Sequence, residues 1–347
     1  MEKTLTKVAV VGASGYAGAE LVRLLLAHPH VDLVSATSRQ FAGKSIAQVF
    51  PRFAHDEKAN ALLFSDVDPK SLARDVEIVF LALPHGVSAQ IARSLLDLGR
   101  RVIDLSADFR IHDRNVYQEF YGSDHPAPEL LDRAVYGLPE IYRDQIRGAS
   151  LVACPGCYPT SILIPLRPLI RRKAIDRKRI VVTSLSGVTG AGRKVEADYL
   201  FAECNENLRP YGVPKHRHLG EIEQELSRLA GEKIAIQFTP HLAPVNRGIL
   251  TTIYTELGGD VVALDPTLLF KSAYGEEPFV RLLGEDHFPE TKNVTGTNFI
   301  DIAWRIDKRT SRLIVMSVID NLTKGTSGQA VQCFNLMRGY PETTGLL

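Results

Sequence analysis

The sequence predicts an α/β protein in two parts: a doubly wound parallel sheet, then an α+β domain with a largely antiparallel or mixed sheet. Three observations predict this. Continuous apolar runs of strand length alternate with helical segments up to about residue 155, the pattern of a parallel sheet buried on both faces. Beyond that point strands follow one another through short turns such as Asp307-Lys308-Arg309-Thr310-Ser311, which implies hairpins and antiparallel pairing. The length, 347 residues, suits two domains that each bury a core. The expected division is residues 1–155, completed by a C-terminal helical segment 321–347, and residues 156–320.

Composition narrows the function classes. Hydrophobic residues make up 45% and charged residues 23% of the chain, as in ordinary soluble globular proteins. A net charge of +1 gives no reason to expect a nucleic-acid or membrane partner. The local basic run from Arg171-Arg172-Lys173 to Arg177-Lys178-Arg179 is most simply a solvated helix end and loop. No apolar run reaches bilayer length, and Met1-Glu2-Lys3 leads into a short strand without a signal-peptide core, so a cytoplasmic location is expected. Four cysteines are too few for a disulfide scaffold and are not grouped with histidines in a zinc spacing, so no metal site is expected.

Lys7 to Val11 is the first buried strand. It runs into Gly12-Ala13-Ser14-Gly15-Tyr16-Ala17-Gly18, after which Ala17, Leu21, Leu24 and Leu25 recur at helical spacing. Strand, glycine turn and helix in this order are the Rossmann-type phosphate-binding arrangement: one glycine makes the turn, one admits a pyrophosphate, and one lets the helix pack on the strand. The spacing is Gly-x-x-Gly-x-x-Gly, and a plain structural turn is the competing reading. The next strand, Val31 to Ala36, ends in Thr37-Ser38-Arg39, where an NAD site usually has an acidic residue. Hydroxyls and a guanidinium suit a 2′-phosphate, which favours NADP(H); the alternative is that Arg39 only faces water. Further strands are expected over Val76 to Leu83 and Arg101 to Leu105, with a helix over Ser88 to Leu98 between them. The first ends in Pro84-His85-Gly86, at the strand end where such sheets keep ligands. The second ends in Ser106-Ala107-Asp108-Phe109-Arg110, where Arg110 is equally a candidate anion ligand and a structural ion pair.

Ala153-Cys154-Pro155-Gly156-Cys157-Tyr158-Pro159-Thr160 follows the apolar run Ser150-Leu151-Val152. Pro159 and Thr160 suit the first helical positions, which sets Cys157 at or just before the helix start. Unpaired N–H groups and the helix dipole favour a thiolate there, so Cys157 is a candidate nucleophile. Pro165 and Pro168 are expected to shorten or kink that helix. A strand over Lys178 to Ser186 leads into Gly187-Val188-Thr189-Gly190-Ala191-Gly192-Arg193-Lys194, a loop with free N–H groups and two cations that can bind anions. Arg209 to Pro214 is turn-like. Lys215-His216-Arg217-His218 then opens a helix over Leu219 to Leu229, where Glu221 stands three residues after His218 and can orient it. Strands are expected over Lys233 to Phe238, Arg247 to Tyr254, Pro278 to Leu283, Asn298 to Ile306 and Arg312 to Ile319, with helices over Pro266 to Tyr274 and Ser327 to Met337.

A dinucleotide site, a helix-start cysteine and a histidine pair together suggest hydride transfer to a carbon held as a thioester. An acyl phosphate accepts hydride poorly until a thiolate displaces the phosphate. A histidine would move the protons, and N–H groups near Cys157 would hold the oxyanion.

The chain resembles the N-acetyl-γ-glutamyl-phosphate reductase family, within the aspartate-semialdehyde dehydrogenase group. The resemblance spans nearly the whole chain. It rests on the glycine loop Gly12 to Gly18, Leu83-Pro84-His85-Gly86, Asp104 to Arg110, Pro155-Gly156-Cys157-Tyr158-Pro159-Thr160, Ser186 to Arg193, His216-Arg217-His218, Arg247-Gly248-Ile249-Leu250, Gly296-Thr297-Asn298 and Asp320-Asn321-Leu322-Thr323-Lys324-Gly325. It implies an NADP-dependent enzyme of arginine biosynthesis that makes N-acetylglutamate 5-semialdehyde and phosphate and forms homo-oligomers, dimers or tetramers. Cys157 would be the nucleophile and His216 or His218 the acid/base; similarity ranks His216 slightly first, and the Glu221 spacing argues for His218. Cofactor contacts are expected from Gly12, Ser14, Gly15, Tyr16, Gly18, Ser38, Arg39, Pro84, His85, Gly86 and Asn321, and substrate contacts from Arg110, Ser186, Arg193 and Arg217. A sister family acts on N-acetyl-aminoadipyl phosphate in lysine biosynthesis, one methylene longer, and Pro155 to Thr160 and Gly190 to Arg193 fit the arginine branch better. Two other classes compete: a thiol–disulfide oxidoreductase using Cys154-Pro155-Gly156-Cys157, and a non-catalytic NADP-binding sensor in which Cys157 is a buried structural thiol.

Overall fold

A computed structural model describes residues 5–193, 195–258 and 265–347; the segment Met1-Glu2-Lys3 and Lys194 lie outside the described residues. The chain forms two compact units, one comprising residues up to Arg114, Asp124–Pro155 and Thr326–Leu347, the other Asn115–Ser123 and Gly156–Gly325.

The first unit is built on seven parallel strands: β1 (Thr6–Val11), β2 (Val31–Thr37), β3 (Phe64–Ser65), β4 (Ile78–Leu81), β5 (Arg101–Asp104), β6 (Ala134–Tyr136) and β7 (Leu151–Ala153). Their order across the sheet is β3-β2-β1-β4-β5-β7-β6. The order turns back at β1, and this is where a doubly wound sheet opens a crevice at the carboxyl ends of its strands. Val8 to Val11 and Ile78 to Leu81 are wholly buried, because helices cover both faces. β3 and β6 are two and three residues long and carry no periodic signal, so the sequence pattern does not reveal them. The expected strand over Val76 to Leu83 shrinks to β4, since Val76 caps the preceding helix Pro69–Asp75. The C-terminal helix Gly328–Arg338 is buried on nearly every side. Its polar residues are satisfied there: Gln329 Nε2 donates to the Gly137 carbonyl at 3.0 Å and Asn335 Nδ2 to that of Glu342 at 3.0 Å.

The second unit holds a mixed sheet of seven strands: β8 (Val181–Gly187), β9 (Arg209–Pro210), β10 (Gln237–Ala243), β11 (Ile249–Glu256), β12 (Val280–Gly284), β13 (Ile300–Asp307) and β14 (Arg312–Ile319). The order is β12-β13-β14-β11-β8-β10-β9. The hairpin at Asp307 to Ser311 pairs β13 with β14 antiparallel, while β8 and β10 are parallel, as are β12 and β13. The helix His218–Ala230 lies between β8 and β10 in sequence, and parallel neighbours need such a crossover. Two expectations shift here. The strand placed over Lys233 to Phe238 forms instead over β10, four residues later, and the turn-like Arg209 to Pro214 contains β9, which pairs antiparallel with β10.

The helix after β7 corrects a third expectation. It runs unbroken from Cys157 to Arg171 with Pro165 and Pro168 inside it. A proline at position i removes the donor for the carbonyl at i−4, here those of Ser161 and Ile164. The Ser317 hydroxyl donates to the Ser161 carbonyl at 2.7 Å, and the Tyr274 hydroxyl to that of Ile164 at 2.5 Å. Side chains from β14 and from the helix Pro266–Tyr274 thus replace the two missing donors.

Glycine spacing in the first unit carries a testable consequence. A Cβ at Gly18 would stand 2.3 Å from the Gly12 carbonyl oxygen and 2.8 Å from Ala13 Cα, whereas one at Gly15 meets nothing nearer than 3.7 Å. Gly18→Ala is expected to cost about 3 kcal/mol in urea unfolding and Gly15→Ala less than about 1 kcal/mol.

Candidate active site

In the first unit, Gly12 has φ +83° and its absent Cβ would fall 2.4 Å from the Ala82 carbonyl oxygen, so only glycine turns the chain there. Gly15 is the N-cap of the helix Tyr16–Leu26, which has neither a side-chain cap nor an acidic residue in its first turn. Such an end suits an anion, since its first N–H groups have no intrahelical partner. Tyr16 is 41% exposed beside it. The Ser14 and Ser38 hydroxyls meet at 2.8 Å, joining the glycine loop to the end of β2. Arg39 is exposed and makes no ion pair with the described residues. A cradle closed to side chains, an uncapped helix start and a cation where an acid would repel phosphate fit an NADP-type dinucleotide.

Pro84 and His85 are exposed at the end of β4. Gly86 N and Ala89 N donate to the two oxygens of Asp108 at 2.6 and 2.9 Å, so a carboxylate from beyond β5 caps the helix Ser88–Asp97. Asp104 accepts from both the N–H and the hydroxyl of Ser106. Burial, and next the neighbouring Asp108, push its carboxyl up to about 7. Arg110 is buried, with Nε on the Cys154 carbonyl at 2.7 Å and Nη2 on that of Leu105 at 2.8 Å. Its guanidinium ties the end of β5 to the chain entering the cysteine turn, and its charge also acts on Asp104.

In the second unit, Cys157 is the first residue of its helix and is half-buried, while Cys154, in the first unit, is wholly buried in the core. Gly156 N donates to Glu221 Oε1 at 2.9 Å, and Glu221 is fully buried. Since Pro159 has no N–H, neither Gly156 nor Pro159 is available as an oxyanion donor beside Cys157. Gly325 packs on the cysteine from another side, and a Cβ there would lie 2.8 Å from Cys157 Cβ. The Gly325 turn is anchored by Asp320. One carboxylate oxygen accepts from Leu322 N and Thr323 N, the other from Gly296 N at 2.6 Å and Arg247 Nη1 at 3.1 Å. Three motifs far apart in sequence, around Arg247, Gly296 and Asp320, therefore converge on one carboxylate. Asn321 belongs to the same assembly: its Oδ1 accepts from Gly248 N at 2.8 Å and its Nδ2 donates to Thr189 Oγ1 at 2.9 Å. These two bonds join the loops around Gly248 and Thr189 to Asn321 and use one N–H and one lone pair of an amide with two of each, which is compatible with its expected place among the cofactor contacts.

Cys157, Tyr158, Ser186, His216, Arg217 and His218 line one cavity of about 410 Å³. Arg209, Tyr211, Lys215, Glu196 and Asp198 also line it. Arg193 is exposed on the loop that contributes Gly190 and Ala191. His216 Nδ1 accepts the N–H of His218 at 3.1 Å, which caps the helix His218–Ala230 and leaves the proton of the neutral ring on Nε2. Tyr158, Tyr211, His218 and Phe238 surround it edge-on. Burial, and then the Arg217 charge, lower its pKa to about 4. Tyr158 and Tyr211 hydrogen-bond through their hydroxyls at 2.8 Å. Burial pushes the Tyr211 hydroxyl up to about 12 and that of Tyr158 further, so both stay protonated. Sequence reasoning missed Tyr211, the Glu221 bond to Gly156 and the Gly325 contact. The run of turn residues Pro210-Tyr211-Gly212 before the histidines was the one available signal for the first; the other two are tertiary.

Residues 7–149 match the family model described as semialdehyde dehydrogenase, NAD binding domain, and residues 157–321 that described as semialdehyde dehydrogenase, dimerisation domain. The fold is similar to aspartate semialdehyde dehydrogenase II from Vibrio cholerae (TM-score 0.73, 19% identity, 97% of this chain and 99% of that chain). It is also similar to the aspartate semialdehyde dehydrogenase from Candida albicans solved with NADP (TM-score 0.71, 15% identity, 96% and 99%). Fold and site thus define a semialdehyde dehydrogenase-type oxidoreductase. Proteins named N-acetyl-gamma-glutamyl-phosphate reductase are 54% identical in Akkermansia muciniphila (98% of each chain), 50% in Geobacter sp. and 44% in Acetivibrio thermocellus (99% of this chain and 98% of theirs for both). The chain belongs to the N-acetyl-gamma-glutamyl-phosphate reductase family.

The His216 environment sets a pH dependence. The folded pKa of about 4 lies below the ordinary 6.5, so the unfolded chain takes the proton first. Its contribution to stability is complete above pH 6.5 and is lost as pH falls toward 4. His216→Asn keeps an acceptor for His218 N but does not titrate, so urea unfolding of this variant should show a shallower loss over that window than the parent.

Proposed function

We propose that this chain reduces N-acetyl-γ-glutamyl phosphate to N-acetylglutamate 5-semialdehyde and phosphate, with NADPH, as a step of arginine biosynthesis, and that Cys157 carries the acyl group. The observation that carries this reading is a half-buried cysteine at a helix start, in one cavity with two histidines and an arginine, within a chain of this family. The relatives named above are glutamyl-phosphate reductases, which counts against the aminoadipyl alternative. The wholly buried Cys154 counts against a Cys-x-x-Cys redox pair, and the cavity against a purely structural Cys157.

The Cys157 thiolate attacks the acyl carbon; a C–S bond forms, the C–O bond to phosphate breaks, and inorganic phosphate leaves. The glycine loop from Gly12 to Gly18, with Ser14, Gly15, Tyr16, Ser38 and Arg39, holds the dinucleotide, and Pro84-His85-Gly86 stands at the neighbouring strand end. Bound NADPH supplies the hydride that reduces the thioester. His218 protonates the oxygen of the resulting thiohemiacetal, then removes that proton as the C–S bond breaks and the aldehyde forms. The reasons for choosing His218 are chemical: His216 spends Nδ1 on the helix start and is too weak a base near neutral pH. Arg217, Ser186 and Arg193 are the candidate substrate anion contacts, with Lys215 beside them on the cavity wall.

The chain acts as a homo-oligomer in the cytoplasm under this reading. One face of the second sheet supports the association: Leu185, Leu250, Tyr254, Ile314 and Met316 alternate with buried residues and remain at least partly exposed. The dimerisation-domain match covers the same strands.

The test is phosphate-dependent reduction of NADP⁺ with N-acetylglutamate semialdehyde, beside the aminoadipate homologue and with NAD⁺ as control. Cys157→Ser should lose at least ~10³-fold in kcat and Cys154→Ser should stay within about twofold of the parent. His218→Asn should lose roughly 10²-fold or more, and His216→Asn less. Absence of turnover with either aldehyde would sink the reading; equal losses at Cys154 and Cys157 would replace it with the redox pair.

A further inference from the structure

We propose that Ser317, on β14, is a positioning residue for the nucleophile: with Thr251 and Ser184 it forms a buried row of hydroxyls that sets the cysteine helix on the sheet. The proposal rests on Cys157 being the nucleophile. Thr251 is the register partner of both Ser184 on β8 and Ser317 on β14, so the three side chains lie in one line across adjacent strands. All three are buried, on a sheet face that they share with the apolar Val182, Ile253 and Val315. A polar row in such a place is costly unless every hydroxyl is bonded.

The helix supplies partners for Thr251 and Ser317, both near its cysteine end. Thr251 Oγ1 meets Ser184 Oγ at 2.8 Å and Ser161 Oγ at 2.8 Å. Ser161 Oγ in turn donates to the Tyr158 carbonyl at 2.9 Å. Ser317 donates to the Ser161 carbonyl, which Pro165 has deprived of its helical donor. The bonds from Ser184 through Thr251 and Ser161 thus reach the residue next to Cys157, and Ser317, beside Thr251 in register, separately serves the Ser161 carbonyl that Pro165 leaves without its i+4 donor. Apolar side chains hold the helix by interlocking shape, but no single contact among them is directional. Hydroxyls aimed at one particular carbonyl admit one register, and misplacement of a reacting atom by an ångström is expensive in rate.

Pro165 makes this testable by a double-mutant cycle, because Pro165→Ala returns an N–H to the Ser161 carbonyl. Ser317→Ala, Pro165→Ala, the double variant and the hydroxyl-retaining Ser317→Thr are compared in the intact protein. The readouts are kcat, KM, and the rate of Cys157 alkylation by iodoacetamide against pH, followed on the Cys157 peptide by mass spectrometry. Ser317→Ala is expected to lower kcat about fivefold with KM within about twofold, and to shift the alkylation profile. The double variant should recover to within about twofold of Pro165→Ala alone, and Ser317→Thr should stay near the parent. A lower unfolding midpoint with unchanged kcat and alkylation would reduce Ser317 to a merely structural role and overturn the proposal. Failure of Pro165→Ala to rescue would overturn the carbonyl argument. If Ser317→Ala does not fold, the comparison of the double variant with Pro165→Ala decides alone, and a fivefold or larger gap there refutes the proposal. Full activity in Cys157→Ser would instead remove the nucleophile reading while leaving the stability coupling between positions 317 and 165 to be measured.

Discussion

A helix with two prolines in its interior must find hydrogen-bond donors outside itself, and much of the second unit is arranged around that requirement. Ser161 and Ile164 present carbonyls that their own helix cannot serve, and Ser317 and Tyr274 serve them. Each donor comes from a different element, one from β14 and one from the helix Pro266–Tyr274. The helix that begins at Cys157 is therefore tied to its surroundings at two successive turns by directional bonds, in addition to the apolar contacts of Ile162, Leu163 and Leu166. A reactive thiol placed at the first residue of such a helix inherits that fixation.

Buried carboxylates perform the complementary task for loops. Asp108 gathers Gly86 and Ala89, Asp320 gathers Gly296, Leu322, Thr323 and Arg247, and Glu221 holds Gly156. An ionised carboxylate accepts up to four bonds and needs several to be stable away from water. Backbone N–H groups in turns need acceptors for the same reason. Each requirement satisfies the other, and the loops that carry candidate site residues become rigid without lying in helices or strands. His216 follows the same logic as a neutral ring: its Nδ1 accepts at a helix start, and burial together with the Arg217 charge makes it a poor base.

Local signals were enough to read the first unit closely. Val8 to Val11 followed by Gly12, Gly15 and Gly18 leads to a strand, turn and helix because each step is dictated within a few residues, by a buried apolar run and by positions that exclude a side chain. The strand over Arg312 to Ile319 and the hairpin before it were equally plain, since alternation and a polar turn are local. The short β3 and β6 were not, because two or three residues have no period. β10 was set four residues early because Lys233 to Phe238 has the same apolar character as the segment that pairs with β8, and pairing alone chose between them.

The sequence by itself determined the two-part α/β plan, the cysteine at a helix start, the histidine cluster before another helix and the cation at the end of β2, because these depend on residue type and short spacing. Tertiary structure decided what no spacing encodes. It kept the cysteine helix continuous through Pro165 and Pro168, joined Asn321 to Gly248 and Thr189, set Arg110 on two backbone carbonyls and Glu221 on the Gly156 N–H. In each case a buried polar group found its partner through space, from residues up to 156 positions away, as Ser317 does with Ser161. The cost of leaving such a group unpaired, rather than any local preference, selected the partner.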